Sequence, residues 1–182
     1  MLSILGINYF NIASRSNAIN NCGQALDLVN KGVIETFTNG TNEKSIADGM
    51  DAAIIAINKK TLSMDYATAI NPIYIVRENE VIILKGDRFP IGKNEYSKND
   101  KFTSKEFQLI KNDSIYLFSD GYADQFGGPN KRKMKVQRLN ELLDQVAQLD
   151  ISKQAREIES FFENWKGDTP QMDDVLLIGF QY

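Results

Sequence analysis

The stretch Ser114-Ile115-Tyr116-Leu117-Phe118-Ser119-Asp120-Gly121 decides how this chain is read. It is apolar and rich in β-formers, and it stops at an acid followed by a glycine. The pattern predicts a strand that carries Asp120 to its tip, with Gly121 turning the backbone away. A carboxylate at a strand end suits a hard cation, because the sheet holds it still and the turn leaves it open. An Asp-Gly pair also serves as an ordinary turn, so a second feature has to separate the two readings. Asp173-Asp174 is that feature, standing just before the apolar run 175–180. If the two strands are neighbours, acids from distant sequence meet at one sheet edge. Side-by-side carboxylates repel unless a cation lies near, which tilts the pair toward metal rather than a plain strand start.

Composition narrows the chemistry. A chain of 182 residues, 42% hydrophobic and 25% charged, fits one ordinary globular domain with its own core. The net charge of −3 gives no reason to expect nucleic acid. There is no histidine, so Ser-His-Asp and Cys-His catalysis are impossible within the chain. With a single cysteine, Cys22, most zinc sites are excluded as well, leaving oxygen-liking ions such as Mg²⁺, Mn²⁺ or Ca²⁺. A lone cysteine also rules out a disulfide framework and fits a reducing, cytoplasmic compartment. No apolar run approaches the roughly 18 residues of a membrane span, and no signal peptide opens the chain.

Ahead of the key strand, residues 1–20 open in an apolar helix whose pattern starts mid-element, and Asn20-Asn21 and Gly23 break it. Leu26, Val29, Val33 and Phe37 then recur at helical spacing, and Asn39-Gly40-Thr41-Asn42 ends that helix. Residues 52–57 form a continuous apolar run, predicting a strand buried on both faces. Asn58-Lys59-Lys60 turns it into a return strand over 61–69. A second hairpin spans 73–84 with its turn at Glu78-Asn79-Glu80, and 102–109 reads as an edge strand. Behind the key strand, a polar loop over 127–133 leads to a helix carrying Val136, Leu139, Leu142, Leu143 and Val146. Asp150 and Ser152 offer caps for another, with Ala155, Ile158, Phe161, Phe162 and Trp165 on its apolar side. Helices beside mostly antiparallel strands argue an α+β layered fold.

The segment Phe118-Ser119-Asp120-Gly121-Tyr122-Ala123-Asp124-Gln125-Phe126-Gly127-Gly128 resembles the SpoIIE-like branch of the metal-dependent protein phosphatase 2C family. That branch carries a Ser/Thr-Asp-Gly motif on a core strand and an Asp-Asp pair before its last strand, matched here by Gln171-Met172-Asp173-Asp174-Val175-Leu176-Leu177. Asp48-Gly49-Met50-Asp51-Ala52-Ala53, Tyr66-Ala67-Thr68-Ala69 and Pro90-Ile91-Gly92 resemble it in the same order. The resemblance implies an αββα sandwich of two antiparallel sheets flanked by helices. It implies hydrolysis of phosphoserine or phosphothreonine by water held on a pair of Mn²⁺ or Mg²⁺ ions, which needs no protein nucleophile. Carried over, Asp120 and Asp173 are the metal ligands, with Gly121 near them and Asp174 a weaker candidate. The implied partners are a phosphorylated regulatory protein, such as an anti-sigma-factor antagonist, and an upstream sensor or signalling domain.

The departures from the pattern are specific. Branch members carry an Asp-Gly-His-Gly motif whose aspartate bridges both metals, and a preceding strand with its own acid; neither occurs here. The expectation is one SpoIIE-type domain over 1–182 lacking those first strands, with weak metal binding and little turnover. Thr68 and Ile70 stand where the branch commonly has glycine and asparagine. Two other readings stay open: a catalytically inactive interaction domain on the same fold, binding a regulatory protein through a sheet edge and residues 122–135, and a Ca²⁺- or Mg²⁺-stabilised structural module. Lys131-Arg132-Lys133 with Lys135 could grip phosphate or nucleic acid, a solvated loop being the favoured reading, and the 48–51 segment could approach the site.

Overall fold

Residues 20–24 start a helix because side chains on both sides of the start close on the backbone. Asn21 Oδ1 accepts the N–H of Gln24 at 2.9 Å, and Gln24 Oε1 accepts the N–H of Asn20 at 2.9 Å. In the computed structural model, which describes residues 2–38, 49–78, 80–92 and 101–182, this is α2 (Cys22–Thr38), preceded by α1 (Leu2–Arg15). Gly23 does not break the helix; it lies in its first turn. A Cβ there would stand 2.5 Å from the Phe102 carbonyl oxygen, so the residue is small because the chain passes close by.

The chain divides into two units, Met1–Pro72 with Lys85–Leu109, and Ile73–Leu84 with Ile110–Tyr182. In the first unit α1 and α2 accompany three strands, β1 (Ala52–Ile57), β2 (Ser63–Ala69) and β5 (Lys105–Gln108), which form an antiparallel sheet of order β1-β2-β5. Leu26, Val29 and Val33 are fully buried, as their spacing predicts, against Ala67, Ala69, Ile91 and Phe102. β1 is only half-buried rather than covered on both faces, because it is an edge strand bonded to β2 alone. The α2 N-terminus is tied to β2 by Asp65, whose Oδ2 accepts the Cys22 N–H at 2.7 Å while Oδ1 takes the Ser104 hydroxyl. Asn39 to Asn42 and Asp48 lie outside the described residues, as does Asn79 in the second hairpin turn. Asp51 is exposed just before β1.

The second unit is built on β3 (Ile73–Arg77), β4 (Glu80–Leu84), β6 (Ser114–Phe118) and β9 (Leu177–Gln181), in a sheet of order β4-β3-β6-β9. Tyr74, Val76 and Tyr116 pack against two amphipathic helices, α4 (Lys135–Val146) and α5 (Ile151–Lys166). Leu139, Leu142, Leu143 and Val146 are buried as expected, but Val136 is exposed. On α5 it is Gln154, not Ala155, that faces inward; its amide takes the Tyr116 hydroxyl and donates to the Leu149 carbonyl at 2.8 Å, so its burial leaves nothing unpaired. Asp150 occupies the N-cap position of α5 without a side-chain cap bond. Arg77 and the buried Asp113 form a two-pronged ion pair at 2.9 and 2.7 Å, and Asp113 Oδ2 also accepts the Ile110 N–H.

Two elements go beyond the sequence expectation. A short helix, α3 (Asp120–Asp124), follows β6, and the polar loop over 127–133 holds a small hairpin of β7 (Phe126–Gly127) and β8 (Arg132–Lys133). Gly127 and Gly128 are needed because Trp165 lies against them; a Cβ on Gly128 would meet its ring at 2.7 Å, and Gly128 has φ of 67°.

Candidate functional site

β6 and β9 are antiparallel neighbours in register from Ser114↔Gln181 to Phe118↔Leu177. This pairing brings the segment after β6 against the segment before β9. Ser119 continues the ladder, its N–H donating to the Leu176 carbonyl at 3.0 Å. Its hydroxyl then donates to the Asp174 carbonyl at 2.9 Å and accepts the Leu176 N–H at 2.9 Å. The serine that could cap α3 instead joins the two acid-bearing segments, and it makes no side-chain cap bond to the helix. By sequence Ser119 reads as the strand end and as part of the Ser-Asp-Gly motif, without a sign that its hydroxyl links the two segments.

Asp120 is the first residue of α3, not the tip of β6, which ends two residues earlier. Gly121 is likewise helical, and its role differs from the turn the sequence suggests. A Cβ at Gly121 would stand 2.5 Å from the Asp174 carbonyl oxygen and 3.3 Å from Asp173 Cβ. Glycine is required there by contact: the first turn of α3 lies directly on the Asp173-Asp174 backbone.

Asp120, Asp173 and Asp174 are all exposed. Asp173 Oδ1 accepts the Asp174 N–H at 2.8 Å, which orients its carboxylate along the loop. Among the described residues no lysine or arginine forms an ion pair with any of the three. Acids gathered without a counter-charge, offering only hard oxygen donors, fit an oxygen-liking divalent cation. Among the described residues, however, no group of three or more acidic or cysteine side chains is placed to hold a metal together.

Beneath the acids, Tyr122 is 2% exposed and anchors α3 to α5 by donating its hydroxyl to the Ile158 carbonyl at 2.8 Å. Its ring packs on Phe118 and Phe162, and burial pushes its phenol well above the ordinary range. Gln125, which the sequence does not single out, is 1% exposed. It donates to the Phe126 and Pro170 carbonyls and accepts the Met172 N–H. A polar residue two positions ahead of Gly127-Gly128 carries no sequence signal for burial. In the basic hairpin, Lys133 pairs with Asp124 at 2.8 Å and lies near the Phe126 ring, while Arg138 stacks over Trp165 at 4.6 Å.

The family model for Stage II sporulation protein E (SpoIIE) matches residues 8–182. The chain therefore belongs to the SpoIIE family of phosphatase domains related to protein phosphatase 2C. Solved structures carry the same fold, two antiparallel sheets flanked by helices. The SiaA PP2C domain of Pseudomonas aeruginosa is similar over 100% of this chain and 69% of its own, with TM-score 0.86 and 21% identity. The PP2C phosphatase domain with a regulatory fragment of SpoIIE from Bacillus subtilis is similar over 98% of this chain and 48% of its own, with TM-score 0.71 and 16% identity. The serine/threonine phosphatase PstP of Mycobacterium tuberculosis is similar over 98% and 80%, with TM-score 0.64 and 13% identity. A search of curated protein sequences found no significant match.

Proposed function

We propose that this chain is a metal-dependent serine/threonine protein phosphatase domain of bacterial signalling, in which Asp120 and Asp173 hold Mn²⁺ or Mg²⁺. The observation that carries the reading is the β6–β9 pairing, which sets the start of helix α3, at Asp120 and Gly121, against the Asp173-Asp174 backbone, with no basic side chain among the described residues paired to the acids. A cation held there would supply positive charge to phosphoryl oxygens and would lower the pKa of a water for attack. The chain's own residues do the rest: Asp120 and Asp173 offer oxygen ligands, Ser119 joins the segments that bear them, and Tyr122 fixes α3 to the core. The family match runs through both units from residue 8 to residue 182, which supports reading them as one domain. A protein phosphorylated on serine or threonine is the proposed substrate, an anti-sigma-factor antagonist being one such regulator. An upstream sensor or signalling domain in a cytoplasmic protein is the proposed setting. Among the described residues no helix is long and apolar enough to cross a membrane.

A second reading is a phosphatase-like domain without turnover that binds a regulatory protein. That no group of three or more acidic or cysteine side chains among the described residues is placed to hold a metal favours it. Hydrolysis of an aryl phosphate with added Mn²⁺ separates the two. Slow, manganese-dependent turnover that disappears in Asp173→Asn supports the phosphatase. Manganese binding with no turnover above the buffer rate favours the interaction domain.

A further inference from the structure

Gln125 is a buried polar residue that the proposed chemistry does not use directly. It follows α3 and is 1% exposed. Its amide nitrogen donates to the Phe126 carbonyl at 2.9 Å and the Pro170 carbonyl at 3.0 Å, and its amide oxygen accepts the Met172 N–H at 3.4 Å. Its own carbonyl accepts the Trp165 indole N–H at 3.0 Å and the Met134 N–H at 2.9 Å. One residue thus engages the chain on both sides of Gln171, just ahead of Asp173, and fastens it to the end of α3, the foot of α5 and the start of α4.

The segment 170–176 has no regular secondary structure. Its other bonds are either internal, such as Gln171 Nε2 to the Asp173 carbonyl at 2.9 Å, or made by Ser119 beyond Asp173. Its near side is held by Gln125 and its far side by Ser119, with Asp173 between the two clamps. Gln125 also sits one residue past the helix that begins with Asp120. Both acids are thereby referenced to the same buried amide. A primary amide suits this task because it donates and accepts at once, matching two carbonyls and an N–H.

We infer that Gln125 is a positioning residue for the cation site: its amide pins residues 170–172 so that Asp173 is presented beside the first turn of α3. This role rests on the reading of Asp120 and Asp173 as cation holders. Groups that orient metal ligands from behind typically change metal affinity by about 10–100-fold when removed.

The test is calorimetric titration of the 182-residue chain with MnCl₂, alongside the melting temperature of the metal-free protein. Gln125→Met removes every side-chain bond; Gln125→Asn keeps the amide but is too short to reach both Pro170 and Met172. Gln154→Met is the control, since Gln154 is equally buried at 1% and bonded to Tyr116 and Leu149, with no bond to the acid loop. The expected result is about tenfold weaker manganese binding in the Gln125 variants and unchanged affinity in Gln154→Met, even where the control loses as much melting temperature. Wild-type affinity in a folded Gln125 variant, or an equal loss in the Gln154 control, overturns the inference. A wild-type chain that binds no manganese contradicts the cation reading itself and the inference with it.

Discussion

Ile70 is a residue whose backbone conformation has a visible physical cost. Its φ is 69°, in the left-handed region that a β-branched side chain rarely adopts. The side chain is 44% exposed, so little burial compensates. Nearby Thr68 is fully buried with a hydroxyl that finds no partner among the described residues, and Gly86 has to be small because Thr68 presses on it. The sequence marks both positions as unusual without giving the reason, since neither φ nor burial is written in composition. Ile70→Asn keeps the backbone N–H bond to the Asp87 carbonyl and relieves the strain, because asparagine tolerates this conformation. The variant is expected to gain about 1 kcal/mol of stability, read from urea unfolding; a loss of stability contradicts the strain argument. At Asp120 and Gly121 the local geometry differs from the sequence expectation. The pair opens a helix rather than a turn, and Gly121 is dictated by the Asp174 carbonyl.

At the scale of elements, whatever repeats a period is legible. α2, α4, α5 and the strands of both hairpins emerge from apolar spacing alone. α3, with five residues, and β7 and β8, with two each, are too short to carry a period, and their positions depend on Trp165 and Gln125 from outside the segment. α2 supports a prediction about pH. Cys22 at its start is 3% exposed, and its thiol lies 3.3 Å from the Asp65 carbonyl oxygen. Burial pushes that thiol from 9.0 up to about 12, with the Asp65 charge and hydrogen bonding adding to the rise. Below about pH 9 the thiol is protonated in both folded and unfolded chains, and its contribution is fully present. As pH rises further, the unfolded chain gives up the proton first, so stability falls by about 1.4 kcal/mol per pH unit until the folded thiol ionises. Tyr66, Tyr74, Tyr116 and Tyr122, all raised by burial, add a like loss from the ordinary tyrosine value of 10.0 upward. Between about pH 9 and pH 10 the slope of unfolding free energy is therefore expected to be steeper in the wild type than in Cys22→Ala. Equal slopes contradict the assignment.

For the whole molecule, the order of motifs along the chain is enough to point to the family and the fold class. It does not carry the clamps around the acids, which belong to Ser119 and Gln125 and depend on three-dimensional contact. The absence of histidine, by contrast, excludes whole classes of catalysis from composition alone. The central claim is that the acids at 120 and 173 act together on one cation. Calorimetric titration of Mn²⁺ into the wild-type chain, Asp120→Asn and Asp173→Asn tests this directly. Saturable binding by the wild type, weakened at least about tenfold in each single variant, is the predicted result. Wild-type binding that survives both substitutions undiminished, or no binding at all, contradicts it.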